Sequence, residues 1–107
     1  MLMEEYKIIN KDNVNWSDFL GHRPKNYIIF FDDEKAYLDF IKCKPSFLVD
    51  YTSLKYEKGK NLWSLYKDKT CVVKYSHYFL SIKTININNI KGDIYKKFEI
   101  YKWECLN

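Results

Sequence analysis

The 107-residue chain has one arginine, one alanine, two histidines, two prolines and three glycines, and each scarcity removes a class of function or a kind of turn. A single Arg23 leaves little of the planar five-donor group that clamps phosphates and reads base edges, which weighs against a sequence-specific nucleic-acid reader. The two histidines, His22 and His77, stand at no spacing that supplies both a nucleophile and an orienting partner. No G-x-S-x-G, phosphate loop, G-x-G-x-x-G or H-E-x-x-H occurs, so the chain is expected not to be an enzyme.

Cys43, Cys71 and Cys105 are widely separated and form no C-x-x-C pair, which argues against both a zinc site and a disulfide framework. They are expected to be reduced thiols that behave as small buried hydrophobes, with Cys105 the most exposed. No apolar run approaches the roughly 20 residues of a membrane span. The opening Met1-Leu2-Met3-Glu4-Glu5 lacks the basic and then apolar order of a signal peptide, so a cytoplasmic protein without membrane contact is expected. No cofactor and no metal is expected.

What the chain does contain is lysine, tyrosine and apolar residues: 47% hydrophobic and 19% aromatic, with ten tyrosines and three tryptophans. That is the composition of one globular domain spanning residues 1–107. All but one of the 18 basic residues are lysine, and with abundant Ile and Asn this matches the codon drift of an AT-rich genome, so the net charge of +4 is discounted. The charge is nevertheless polar along the chain. Residues 1–54 carry 7 basic and 9 acidic groups, net −2, while residues 55–107 carry 11 and 5, net +6.

Several segments have readable structure. Glu5 to Ile9 reads as a short strand, and Asn15 or Ser17 can cap a helical turn through Trp16, Phe19 and Leu20, stopped by Gly21 and Pro24. Asn26 to Phe31 is a continuous apolar run of strand length, which implies cover on both faces. Asp32-Asp33-Glu34 opens a helix to about Cys43 with Tyr37, Phe40 and Ile41 on one stripe, Pro45 closes it, and a strand follows at Ser46 to Tyr51.

The second half reads as an antiparallel meander. Leu54-Lys55-Tyr56 and Leu62 to Tyr66 flank a hairpin turn at Glu57 to Lys60, with Gly59 at its left-handed position. Asp68-Lys69 turns the next pair, Cys71 to Ile87 is one long or broken strand bent near Lys83, and Asn88 to Asp93 is a turn. Tyr95 to Glu104 forms the last strand, with Phe98 and Ile100 on one face and Glu99, Tyr101 and Trp103 on the other. The fold class is therefore α+β: a strand-helix-strand unit, then an antiparallel β-meander, with one main helix packed on one sheet face.

The acidic triplet Asp32-Asp33-Glu34 lies where metal or catalytic carboxylates occur in some enzymes, but its complement to the positive end of a helix accounts for it. Lys55, Lys58, Lys60, Lys67, Lys69 and Lys74 alternate with Tyr56, Trp63, Tyr66 and Tyr75, the pattern of a sheet that tracks a phosphate backbone and stacks bases. Set against this, lysines on a solvated face over core aromatics need no ligand at all.

So many aromatics are more than one small core hides, and an exposed aromatic patch suited to protein contact is expected. The expected contact surface has Tyr56, Trp63, Tyr66, Tyr75, Tyr101 and Trp103 as anchors and Lys58, Lys60, Lys96 and Lys102 at its rim, with Trp63 and Trp103 equally readable as core. The expected function is non-catalytic protein binding by a small inhibitor from a phage or mobile element. Its target would be a nuclease, as for an anti-CRISPR protein, or a toxin, as for an immunity protein; nucleic-acid binding through a Lys/Tyr-rich sheet face is the alternative.

Overall fold

In the computed structural model, residues 6–19, 26–50, 62–77 and 80–106 are described. Strands β1 (Lys7–Ile9), β2 (Asn26–Phe31), β3 (Val49–Asp50), β4 (Thr70–Lys74), β5 (Ser81–Asn86) and β6 (Phe98–Trp103) form one sheet in the order β1-β6-β2-β4-β5-β3. Helix α1 (Glu34–Cys43) is the main helix, with single turns α2 (Trp63–Tyr66) and α3 (Ile94–Lys97). The class is α+β, as the residue pattern implies.

The strand order comes from two connections that skip strands on opposite faces. β2 leads through α1 to β3, past β4 and β5, and β5 leads through α3 to β6, past β4 and β2. β4 pairs antiparallel with β2 and β5, whereas β6 lies between β1 and β2 and is parallel to both. Both faces of the central strands are therefore roofed. Tyr27, Ile29 and Phe31 of β2 join the larger core beneath α1, and Ile28 and Phe30 join a second core beneath Ile87, Ile90 and Ile94. Full burial of Ile28, Val72 and Val73 contributes about 1.5–3 kcal/mol each. The run Asn26 to Phe31 has the two-sided cover its composition implies, and β6 alternates as read, Phe98 and Ile100 to one core and Tyr101 and Trp103 to the other.

Helix α1 begins where its acidic residues place it. Asp33 is the cap, its Oδ1 accepting the Ala36 amide proton at 2.9 Å, and Ala36, Tyr37 and Phe40 form the buried stripe. Upstream, Asn15 Oδ1 accepts from the Ser17 amide at 3.2 Å and starts a 3-10 turn over Trp16–Phe19. One buried polar cluster ties β3, β5 and α1 together. Asp50 accepts from the Thr84 hydroxyl at 2.5 Å and the Thr84 amide at 3.3 Å, and the Tyr37 hydroxyl lies 3.3 Å from Thr84 Oγ1. Burial, the largest cause, pushes the Tyr37 phenol up to about 12.

Four elements differ from the sequence expectation. Residues 63–66 are helix α2 and not a hairpin strand: Leu62 and Trp63 turn into the core beside Tyr37, the Tyr66 amide bonds the Leu62 carbonyl at 3.2 Å, and Lys67 ends the turn at φ 55. Cys71 to Ile87 is broken into two antiparallel strands, with Val73 opposite Lys83, so the break falls between Lys74 and Ser81 and Lys83 lies within a regular ladder. The expected last strand begins only at Phe98, because Asp93 caps α3 through the Tyr95 amide at 2.9 Å. The strand after Pro45 is confined to Val49–Asp50 among the described residues. The expected partner strand and turn at 54–60, and the stop at Gly21 and Pro24, lie outside the described residues.

All three cysteines are free. Cys71 is the buried hydrophobe expected, its thiol pushed up to about 12 by burial, while Cys43 and Cys105 are both half-buried. Among the described residues no helix is long and apolar enough to cross a membrane.

Candidate protein interface

The aromatic side chains divide sharply between interior and surface. Trp103, Tyr101 and Trp63 are 1%, 8% and 9% exposed, so Tyr101 is corrected from anchor to core, and Trp63 and Trp103 take the core alternative of their two readings. The cause is the position of β6. Its Tyr101 and Trp103 face lies beneath α1 and the Trp16–Phe19 turn, where the Trp103 ring meets Phe40 edge-on at 5.3 Å and its Nε1 donates to Asp39 at 2.9 Å. Tyr101 donates to Glu99 at 3.3 Å, and burial is the main reason its phenol is held well above the ordinary value.

Tyr66 is half-buried against the larger core, and Tyr75 packs partly against the second. Tyr56, Lys58 and Lys60 lie outside the described residues. Within the expected Lys/Tyr sheet face, β4 is an interior strand. All five residues of β4 are buried, including Lys74, whose ammonium donates to the Tyr75 carbonyl at 3.1 Å and whose pKa is drawn down by burial. Lys67 and Lys69 are exposed on the turn before β4, and Lys55, Tyr56, Lys58 and Lys60 lie outside the described residues.

An exposed aromatic patch is present, but on other residues. Tyr6, Ile8 and Tyr95 are 38%, 46% and 42% exposed. Tyr6 and Tyr95 line a groove of about 320 Å³ together with Lys7, Phe98, Glu99 and Ile100. Each is turned outward by its element. The Asp93 cap sets α3 so that Ile94 packs on the second core while Tyr95 projects to solvent, and Ile8 lies on the outermost strand opposite Lys102. The Lys102 ammonium stands 5.5 Å from the Tyr6 ring centroid and 2.6 Å from the Asp32 carboxylate, and its hydrogen bond to Asp32 is the first cause of its raised pKa.

Asn26 holds this surface to the adjoining end of β4. Its amide nitrogen donates to the Lys97 carbonyl at 3.2 Å, and its Oδ1 accepts from the Ser76 amide at 2.8 Å. On the far side of Asn26 the Tyr75 ring lies 5.7 Å from Phe98 and stacks on His77 at 5.6 Å. The result is an aromatic ledge, Tyr75 and Phe98 leading to Tyr95 and Tyr6, with Lys96 exposed beside Tyr95. Of the expected surface, Tyr75, Lys96 and Lys102 fall on this ledge. Tyr6, Ile8 and Tyr95 were missed, although Gly92-Asp93 before Ile94-Tyr95-Lys96-Lys97 is a cap-and-turn signal that sets Tyr95 on a helix.

The strand at the ledge does not offer a free backbone acceptor at its centre. The Ile9 carbonyl accepts inward from the Glu104 amide at 2.9 Å, so the pleat turns the Ile8 carbonyl outward, where Asn13 Nδ2 donates to it at 3.4 Å. Asn13 is itself fixed, accepting from the Asn10 amide at 2.7 Å. Capping an edge carbonyl in this way discourages addition of another strand. Two of the acidic triplet are likewise committed: Asp33 caps α1 and Asp32 pairs with Lys102.

No protein-family model matches the chain, and neither a curated protein nor a solved structure matches it.

Proposed function

We propose that this chain is a non-catalytic protein-binding module that works by covering part of a partner's surface, in the manner of a small inhibitor of a nuclease or toxin. The observation that carries the reading is the pair of exposed tyrosines, Tyr6 and Tyr95, around a groove with Phe98 and Ile100 in its wall, with exposed Ile8 further along β1. Rigid aromatic side chains with polar tips, flanked by aliphatic ones and bordered by charge, are what the centre of a protein interface is made from. Nucleic acid is the less favoured partner, because one of the cations at the ledge, Lys102, is paired with Asp32, leaving Lys7, Lys96 and Lys97 as its positive charge. A carboxylate, Glu99, also borders the groove.

The test is an affinity capture from host lysate with the wild type and a Tyr6→Ala/Tyr95→Ala variant, each with and without nuclease. A stoichiometric protein held by the wild type after nuclease, and lost by the folded variant, is the expected result. Capture of nucleic acid alone would overturn it. Affinity would then fall by about 0.7 to 0.9 log units per log unit of salt for each phosphate neutralised. Equal capture of the protein by wild type and variant would remove the ledge as the contact surface.

A further inference from the structure

We draw no further inference here: the strongest candidate, the groove of about 320 Å³ between the start of β1, α3 and residues Phe98–Ile100 of β6, belongs to the site already described, and nothing in the structure shows what covers it.

Discussion

Replacing Tyr95 by Ala in one variant and Trp103 by Ala in another separates the ledge from the core in a single experiment. Trp103 is the largest fully buried side chain, touching Trp16 and Phe40 and donating to Asp39. Its removal leaves a cavity under α1, for which about 3–5 kcal/mol is expected. Asp39 is only partly buried, so water can replace the indole and that hydrogen bond adds little to the cost. Tyr95 already has 42% of its surface in water, so its truncation is expected to cost about 1 kcal/mol.

Urea unfolding followed by far-ultraviolet circular dichroism measures both, and does not depend on the tryptophan being removed. For a chain of this size each kcal/mol lowers the melting temperature by roughly 4–8 °C, so the two variants should melt far apart. If Tyr95→Ala is as destabilising as Trp103→Ala, Tyr95 belongs to the core and the ledge is not a surface. If Trp103→Ala costs under about 1 kcal/mol, the packing of β6 beneath α1 is wrong.

The remaining predictions concern the scaffold. Thr84→Val keeps the shape of the side chain but removes the hydroxyl donated to buried Asp50, and about 2–3 kcal/mol should be lost in the same urea assay. The Tyr37 phenol is raised to about 12 from its ordinary 10, so between those values the unfolded chain loses its proton first. Its contribution is complete below pH 10 and disappears as the pH rises through about 12, and Tyr37→Phe should flatten that part of the alkaline stability profile. Asp33→Ala removes the α1 cap and should cost about 1 kcal/mol, read as a lower urea midpoint with an unchanged slope. Asp32→Ala breaks a pair with an exposed carboxylate and should cost under about 1 kcal/mol.

What could be read from the residues was what local chemistry decides. Asp33 before an apolar stripe at helical spacing defined α1, and the unbroken run at β2 defined a strand roofed on both sides. The alternation of β6 was equally plain, but its neighbours were not. Parallel insertion between β1 and β2 depends on contacts between residues more than 70 positions apart, such as Asn26 opposite Phe98, and no local pattern records them. That insertion is what buried Tyr101 and Trp103. Helix α2 misled because Trp63, Leu65 and Tyr66 have strand-like composition, and burial of Leu62 and Trp63 against the core outweighed it. The exposed patch was expected from the number of aromatics, but its residues depended on the turn set by Asp93.

The place of β6 also has a consequence for how the protein is made. The strand that separates β1 from β2 is the last of the six to leave the ribosome, so until Phe98 to Trp103 emerge β1 has no neighbour and β2 has only β4. The native pairings open to the chain before then are β2 with β4, β4 with β5 and β5 with β3, and the place of Trp103 under α1 is unfilled. Such long-range closure is slow compared with local folding. A nascent chain stopped before Phe98 would therefore hold a partial sheet with one apolar edge unfilled, a form that chaperones and proteases meet before any partner can.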